Sequence, residues 1–453
     1  MNIDVLKFGG TSMADHTTWK KVLHIISQYE YPVVVVSATA RTTRQLLQSA
    51  SLAARKKTND AHAIVADIEH RHVGIIEDFL AENESSKNEL IKESCIKHIQ
   101  STIGFLKKLL SYIEKQGEVD PAMQDAVLSI GEQISSYLLA QCGLATGQLT
   151  QHVEARKIIK TDNEYGKANP NLGLITQHAG ALETMLENGF TPIIGGFYGE
   201  GTDKNITTLG FEGSDYTASL IGGAIEAQSI EIWTDVSGVY TSDPRFIPDA
   251  RPISELSYLD ATEMAYFGAR VLHPSTLKPA QEKNIPVHVK NMFQPQDPGT
   301  RIIRKVEHKK DVLAISFKKD LTILTVSAYE TLMGYSFLTK VFQVLEKYRL
   351  PVDAVNTTEA SVSIALANHE KLDTLTDEFI ELGSTSLTSG KGLISVIGCN
   401  HEKAKQVIKH ISDTQPHIHT DLISFSRDKR ILNIVLNDEY LVEAAQQIHT
   451  SCF

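Results

Sequence analysis

The segment KFGGTS, at residues 7–12, has the residue types of a phosphate-binding turn. It follows a short apolar run and leads into a segment that we predict to be a helix. Glycines at such a place let backbone N–H groups approach an anion closely, a helix N-terminus adds positive dipole, and Lys7 adds a full charge. A tight strand-to-helix turn with a solvated lysine has the same sequence, so these residues alone leave both interpretations open.

Three further segments carry polar residues beside predicted strands or helices. In LGFEGSDYTA, Ser214 and Asp215 precede an apolar helix, where they could contact a ligand or simply cap the helix. In IWTDVSGVYTSDPR, a strand ends at Thr234 and Asp235 and runs into a turn. Loops beyond the carboxyl ends of parallel strands are where open α/β sheets bind ligands. The segment FGARVLHP adds Arg270.

Short runs rich in valine and isoleucine predict the strands that would position these segments. Such near-continuous apolar runs, bounded by Gly, Pro or Asp, are typical of parallel strands buried on both faces. From residue 44 to about 118 helical composition replaces the strand pattern. The sequence therefore predicts an α/β fold, a three-layer sandwich with a mainly parallel central sheet and helices on both faces. The predicted strands are 3–8, 32–37, 192–196, 229–234 and 286–290.

The pattern changes after QPQDPGT, at 294–300, where proline and glycine interrupt the chain. Short strands then alternate with amphipathic helices in two successive β-α-β-β-α-β cycles. Each cycle would give a small sheet with helices on one face. We expect two domains, 1–300 and 301–453, the second containing one unit at about 319–390 and another at 305–318 with 391–453.

Composition limits the possible functions. With 453 residues, 42% hydrophobic and 22% charged, the chain can form at least two domains. The net charge of -11 argues against a nucleic-acid or anionic-membrane surface, which needs clustered Lys and Arg. The four cysteines include no CxxC pair, so we expect neither a disulfide framework nor a zinc site. Because no secretory signal or membrane-spanning run is recognisable, the cytoplasm is the expected location.

Taken together and in order, six segments resemble the aspartokinases, members of the amino-acid kinase superfamily: KFGGTS, VVVVSA, GEQISSYLLA, GSDYTA, TDVSGVYTSDPR and GARVLHP. SFLTKVF, at 336–342, and VNTTEASVS, at 355–363, resemble the first ACT domain of feedback-regulated aspartokinases. The resemblance covers essentially the whole chain. It implies an amino-acid kinase fold followed by two ferredoxin-like ACT domains. The implied reaction is phosphoryl transfer from MgATP to the side-chain carboxylate of L-aspartate, the entry to lysine, threonine and methionine biosynthesis.

The resemblance also implies roles for single residues. Lys7, Gly9 and Gly10 match the residues that hold phosphates, and Asp215 matches the carboxylate that organises the phosphate-binding lysines and the metal. Lys7 and Asp215 are the expected catalytic residues. Mg²⁺ is expected to arrive with ATP and keep several waters, without a dedicated protein cage. The implied substrate contacts are Thr43, Glu132 and Ser214. The implied nucleotide contacts, besides Lys7 and the two glycines, are Ser37, Thr234, Asp235, Tyr240, Arg245 and Arg270.

One departure from the family affects the substrate site. Phe211 stands where many aspartokinases have an arginine that binds the substrate α-carboxylate, and Glu212 adds a negative charge beside it. Arg41 and Arg44 stand where the family usually has small or amide residues. Our hypothesis is that Arg44, or failing that Arg41, supplies the missing contact, with Phe211 packing against it. The alternative is that both arginines face solvent, the ordinary case for this residue.

A regulatory site at a dimer interface is implied for the ACT region, with a homodimer or a dimer of dimers as the expected assembly. Its candidate effector contacts are Met333, Ser336, Leu338, Asp353 and Thr358. Ser336 replaces a family glycine, so we expect weak inhibition by lysine at best. Two other functions remain open: a kinase for a different acidic amino acid, and a weakly active, amino-acid-sensing paralogue.

Overall fold

The computed structural model describes most of the chain, and by their contacts the described residues form two compact units. The first contains Met1–Val239, Ser254–Tyr258 and Leu272–Val306, and the second contains the described residues of 240–253, 259–271 and 307–453. The expected boundary at residue 300 and the bounds of the two ACT units stay predictions. The described residues are 1–81, 86–266, 272, 274–306, 311–329, 334–348, 350–358, 360–367 and 372–453.

Strands and helices alternate through the first unit. The strands up to residue 234 are β1 (Asp4–Phe8), β2 (Pro32–Val36), β3 (Thr150–Val153), β4 (Thr191–Gly195), β5 (Tyr198–Glu200), β6 (Ile206–Thr208) and β7 (Ser229–Thr234). The helices over the same part are α1 (His16–Ile26), α2 (Thr42–Ala54), α3 (Thr58–Leu80), α4 (Ser86–Gln116), α5 (Pro121–Ala145), α6 (Leu172–Glu187) and α7 (Gly213–Ala224). The elements that follow are β8 (Val239–Tyr240), β9 (Pro252–Ile253), β10 (Glu255–Ser257), α8 (Tyr258–Tyr266), α9 (Pro274–Lys283), β11 (Val287–Asn291) and β12 (Thr300–Ile303).

Eight strands form the central sheet, in the order β10-β12-β11-β7-β1-β2-β4-β3. From β11 to β3 all neighbours are parallel, whereas β12 runs antiparallel to β11. Every residue of β2, with the sequence PVVVV, is buried, as a parallel strand covered on both faces requires. The five strands predicted from the sequence are all present in this sheet, each within one residue of its predicted bounds.

Helices cover both faces of this sheet. Alternate residues of β1 and β2, among them Leu6, Phe8 and Val34, pack into one apolar cluster with α1–α5. On the other face α7 contacts β1, β2 and β7 and packs against α6 and α9. The helical stretch predicted between the second strand and residue 118 is present as α2, α3 and α4. None of the described helices combines the length and the apolar character needed to span a bilayer.

Capping residues fix two helix starts near the sheet. Asp120 accepts a hydrogen bond from the Met123 N–H, and Pro121 takes the first helical position of α5, a combination that helix N-termini favour. A reciprocal capping box between Asp15 and Thr18 starts α1 at His16. The sequence predicted a helix directly after the two glycines, but residues 10–15 form turns and bends before α1 begins. The dipole of α1 is therefore not placed next to Lys7.

An antiparallel sheet of six strands forms the centre of the second unit. The strands are β13 (Ala314–Ala328), β14 (Val352–Thr357), β15 (Ser361–Ala367), β16 (Gly383–Ile397), β17 (Thr420–Ser426) and β18 (Ile431–Asn437). Their order across the sheet is β14-β15-β13-β16-β18-β17. The helices are α10 (Gly334–Lys347), α11 (Leu372–Glu378), α12 (His401–Thr414) and α13 (Leu441–Cys452).

Two apolar clusters divide this sheet into halves. One cluster packs α10 and α11 against β13 and β15, and the other packs α12 and α13 against β16 and β18. Each half thus combines strands with two helices, as ferredoxin-like units do. The sequence predicted a separate small sheet for each unit. The structure joins them, because β13 and β16 have 15 residues each and pair along their lengths.

Candidate functional site

The carboxyl ends of β1, β2, β4 and β7 lie at one edge of the sheet, since these strands are parallel neighbours. Backbone pairing continues one residue beyond the strands: the Ser37 N–H donates to Phe8 O at 3.1 Å, and the Gly196 N–H donates to Val36 O at 2.9 Å. The loops that follow these strands therefore start side by side. This edge is the usual ligand-binding edge of an open α/β sheet.

An ion pair joins the central strand to α7. Lys7 lies on β1 between Val35 of β2 and Ile232 of β7. Its Nζ lies 2.6 Å from Asp215 Oδ1, and the two side chains are only 10% and 11% exposed. Asp215 occupies the first turn of α7, where the helix dipole also favours a carboxylate. The pair places an oriented cation at the carboxyl end of β1.

Close backbone packing brings the start of α7 into the site. The residue before the helix, Glu212, adopts the left-handed conformation with φ of 55°, which is uncommon for a residue other than glycine. A Cβ at Gly196 would lie 2.7 Å from Ser214 Cα, so no other residue fits there unless α7 moves. Ser214 and Asp215 are buried in this first turn.

A cavity of about 670 Å³ opens at this edge of the sheet, a volume typical of small-molecule sites. The loop after β2, helix α5 and the start of α7 form most of its wall. Gly9 is not in the lining, but a Cβ at this position would lie 3.4 Å from Lys7 Nζ. The residues proposed from the sequence that line the cavity are Lys7, Gly10, Ser37, Arg41, Thr43, Arg44, Glu132, Phe211, Ser214 and Asp215.

Glu132 is the buried carboxyl group of this cavity. It lies on α5 and is 4% exposed, and its Oε2 has no hydrogen-bond partner among the described residues. Burial raises the pKa of Glu132 to about 8, while backbone hydrogen bonds and the charge of Lys7 act in the opposite direction. A buried polar atom without a partner is costly. This carboxylate is therefore placed to receive a cationic group of a ligand.

Three residues that differ from the usual family sequence, Arg41, Arg44 and Phe211, are exposed at the cavity wall. Arg41 directly precedes helix α2 and Arg44 lies in its first turn, and neither makes an ion pair or hydrogen bond with another described side chain. Phe211 is 81% exposed, unusually open for so large an apolar side chain. Both guanidinium groups remain available to an anionic group in the cavity.

Of the residues proposed for the nucleotide, Lys7, Gly10 and Ser37 are in this lining, whereas Thr234, Asp235, Tyr240 and Arg245 are not. Thr234 ends β7, and its Oγ1 donates to Asp235 Oδ1 at 3.2 Å. Tyr240 and Arg245 belong by their contacts to the second unit, where Arg245 pairs with Asp243 at 2.6 Å. Arg270 lies outside the described residues. The nucleotide contacts stay predictions.

Asp125 is a cavity residue that the sequence did not single out. It lies seven residues before Glu132 on α5, so both side chains are on the same face of that helix. It accepts hydrogen bonds from the Gly166 N–H at 2.9 Å and from the N–H and Oγ1 of Thr208 at 2.8 and 2.7 Å. Burial raises the pKa of Asp125, whereas these hydrogen bonds act to lower it. The available signal was that Asp125 and Glu132 are the only charged residues of α5 and lie seven residues apart.

The candidate effector contacts lie in the second unit, except for Met333, which is outside the described residues. Ser336 is in the first turn of α10, and Leu338 packs partly against the nearby core. Thr358 follows β14 and shares a hydrogen bond with Ser361 at 2.7 Å. Asp353 forms an ion pair with Lys318, with side-chain exposures of 9% and 29%. Any amino-acid ammonium at Asp353 would have to compete with Lys318.

Comparison with known proteins gives full-length relatives. A model of the amino acid kinase family matches residues 2–291. Lysine-sensitive aspartokinase 3 of Escherichia coli (strain K12) is 30% identical over 100% of this chain and 99% of that protein. Aspartokinase 3, chloroplastic, of Arabidopsis thaliana is 32% identical over 99% of this chain and 81% of that protein.

Solved structures agree with these relatives. The crystal structure of E. coli aspartokinase III in complex with aspartate and ADP (R-state) matches with a TM-score of 0.85, 29% identity and 99% of both chains covered. The complex of the same enzyme with lysine and aspartate (T-state) matches with a TM-score of 0.83, 29% identity and 100% of both chains covered. These matches confirm the predicted fold class. The chain therefore belongs to the amino acid kinase family and, within it, to the aspartokinases.

Proposed function

We propose that this chain catalyses the ATP-dependent phosphorylation of the side-chain carboxylate of L-aspartate, giving 4-phospho-L-aspartate and ADP. One observation carries the proposal: a single cavity holds an oriented cation, Lys7 paired with Asp215, and a buried carboxyl group, Glu132, with one oxygen that has no partner among the described residues. A phosphoryl donor requires the first feature, and an amino acid's ammonium group requires the second. The E. coli relative that contains aspartate and ADP supports this choice of substrates.

For this reaction the protein mainly has to position the two reactants and stabilise negative charge on the transferring phosphoryl group. An ionised β-carboxylate oxygen attacks the γ-phosphorus of ATP, and the bond from that phosphorus to the β–γ bridging oxygen breaks, so its electron pair leaves with ADP. No proton is transferred, because the carboxylate is already ionised at neutral pH. Lys7 stabilises negative charge on the transferring group, Asp215 holds its ammonium in place, and Glu132 fixes the substrate ammonium.

The described residues fit a magnesium ion that arrives with ATP. Among them, no group of three or more His, Cys, Asp and Glu side chains could hold a metal, whereas one carboxylate, Asp215, lies beside the proposed phosphate site. Mg²⁺ at phosphate sites commonly takes one or two carboxylates and keeps several waters. When bound, it would neutralise charge between the phosphates, and Asp215 is the residue that would contact it.

The remaining parts of the proposal concern the nucleotide, the assembly and the pathway. We assign Thr234, Asp235, Tyr240, Arg245 and Arg270 to ATP binding, since they match the family's nucleotide contacts in sequence. A homodimer formed through the ACT region, a cytoplasmic location and a role in the synthesis of lysine, threonine and methionine complete the proposal. Sedimentation of the purified chain tests the dimer directly.

Release of ADP, followed in a coupled assay with a panel of amino acids, tests the proposed activity. L-aspartate should give the highest kcat/KM. Phe211, exposed where an arginine was expected, favours a second candidate, a kinase for another acidic amino acid. A higher kcat/KM for glutamate or another dicarboxylate would establish that candidate, whereas no turnover with any amino acid would indicate the weakly active sensing paralogue.

The raised pKa of Glu132 predicts a pH-dependent KM for aspartate. Only the ionised carboxylate attracts the substrate ammonium, and with a pKa of about 8 its ionised fraction grows as the pH rises. Between pH 7 and pH 8 this fraction goes from about 9% to about 50%, so the KM should fall about fivefold. Glu132→Gln should remove this dependence. A wild-type KM that is flat over this range, or a variant that keeps the slope, would contradict the role of Glu132.

Lysine should inhibit this chain weakly. The carboxylate of Asp353 is already paired with Lys318, so an incoming lysine must displace an intramolecular ammonium. We expect only a small shift of the aspartate saturation curve with lysine. Lys318→Met, which frees Asp353, should increase the sensitivity, while Lys347→Met, which removes another ion-paired lysine of the second unit, should not. Strong inhibition of the parent chain by sub-millimolar lysine would refute this prediction.

A further inference from the structure

Two adjacent residues of α3 bind the loop that follows β2. Arg71 donates from Nη1 to Ala40 O at 2.7 Å and from Nη2 to Thr42 Oγ1 at 2.9 Å. His72 is fully buried, and its Nε2 lies 2.9 Å from Thr39 Oγ1. Thr39 and Thr42 are themselves joined by their hydroxyl oxygens, 2.6 Å apart. Together the two residues of α3 hold Thr39 and Ala40, which line the cavity, and Thr42, the first residue of α2.

Only one arrangement of protons satisfies this network. His72 Nδ1 lies 2.6 Å from Ile68 O, and a carbonyl can only accept, so Nδ1 carries the proton and Nε2 accepts from Thr39. Burial lowers the pKa of His72 to about 4, which keeps the ring neutral. Thr39 then accepts from Thr42, which accepts from Arg71. The bonds run in one direction from Arg71 to Ile68, and each hydroxyl both donates and accepts.

The network encloses a residue in an unfavourable backbone conformation. Arg41, the residue directly before α2, has φ of 71° and ψ of -14°, in the left-handed region, and its side chain does not cap the helix. Residues other than glycine and asparagine rarely adopt this region, and they keep it only where the surroundings enforce it. Two hydrogen bonds from Arg71 reach the residues directly before and after Arg41, and a third runs from Arg71 Nη2 to Gln45 Oε1 at 2.8 Å. Arg71 thus constrains both sides of the strained position.

We propose that Arg71 and His72 are positioning residues that hold residues 39–44, the end of the loop after β2 and the first turn of α2, in the conformation that binds the amino-acid substrate. Arg41 and Arg44 belong to this segment. This inference rests on the proposed function for its kinetic consequence. Arg71 and His72 are absent from the cavity lining, so they act through the loop. Loss of the network should weaken aspartate binding more than it affects ATP or turnover.

Kinetics of three variants test the role. Arg71→Met should raise the KM for aspartate about tenfold, with kcat and the KM for ATP changing less than about threefold, and Arg71→Lys should lie between Met and the parent. Thr42→Val keeps the shape of a buried residue outside the cavity lining but removes the hydroxyl, and should act in the same direction. The matched controls are Arg156→Met, a half-buried, ion-paired arginine, and Thr150→Val, a buried, hydrogen-bonded threonine.

A double-mutant cycle with Arg41→Gly separates positioning from general stability. Glycine adopts the left-handed conformation without strain, so Arg71→Met should raise the KM by less than about threefold in that background. An equal effect in both backgrounds, or a uniform loss of kcat and thermal stability matched by Arg156→Met, would overturn the proposal.

Hydrogen–deuterium exchange gives a readout that needs no substrate. Amides of residues 39–47 should exchange at least about tenfold faster in Arg71→Met than in the parent and in Arg156→Met, because the loop opens locally. Unchanged exchange would overturn the inference even for an active enzyme. Faster exchange in a chain that does not phosphorylate aspartate would support the loop's dependence on Arg71 while rejecting the proposed function.

Discussion

Lys7→Ala should lower kcat by at least about 100-fold while the fold stays intact. The ammonium of Lys7 is oriented and largely buried before any ligand binds, and preorganised charges facing a transferring phosphoryl group are commonly worth several kcal/mol, at about 1.4 kcal/mol per factor of ten in rate. Single-turnover measurement of ADP formation at saturating aspartate and ATP checks this. Near-normal turnover of the variant would show that the phosphoryl group is transferred elsewhere.

Asp215→Ala should reduce kcat to a similar extent, because it releases Lys7 and leaves a buried ammonium without its carboxylate. The effects of the two substitutions should be far from additive, since the pair acts as a unit. Lys160→Ala is the matched control: Lys160 forms an ion pair with Glu200 at 2.9 Å and 17% side-chain exposure, but does not line the cavity. Loss of activity in the control as large as in Lys7→Ala would point to destabilisation.

The sequence predicted the central sheet well because its signal is local. Each buried parallel strand is an uninterrupted run such as PVVVV, and such a run needs only its own residues to be recognised. The parallel arrangement then places the loops after β1, β2 and β4 together without further information. The assignment of Ser214 to the same site came instead from the resemblance to the aspartokinases, and the structure places Lys7, Ser37 and Ser214 in the lining of one cavity.

Other features depend on contacts between distant segments, which local patterns do not reveal. The role of Asp125 depends on Thr208, 83 residues away, and the loop network depends on Arg71, whose sequence context is that of an ordinary amphipathic helix. The joined sheet of the second unit depends on β13 and β16 pairing along 15 residues. A short β-rich run indicates that a strand exists, but its length is set by its partner.

The final prediction concerns the substrate α-carboxylate. Arg44 and Arg41 are the cations of the cavity wall that no described side chain pairs, whereas Lys7 is held by Asp215. Truncating one partner of a buried, hydrogen-bonded charge pair costs roughly 2 to 5 kcal/mol. Arg44→Ala should therefore raise the KM for aspartate about 30-fold or more, at 1.4 kcal/mol per decade, with little change in the KM for ATP. Arg41→Ala should have the smaller effect.

The position of Phe211 allows a second test of this prediction. Phe211 lines the same cavity and is largely exposed, so it can pack on a guanidinium once the loop encloses the substrate. Phe211→Arg restores a cation at the position where the family has one, and should recover part of the affinity lost in Arg44→Ala. Arg55→Ala, an exposed arginine just beyond the other end of α2, is the control and should leave the KM unchanged. The prediction is wrong if the parent phosphorylates aspartate efficiently and neither Arg44→Ala nor Arg41→Ala alters aspartate kinetics. In that case neither arginine binds the α-carboxylate, and both simply face solvent.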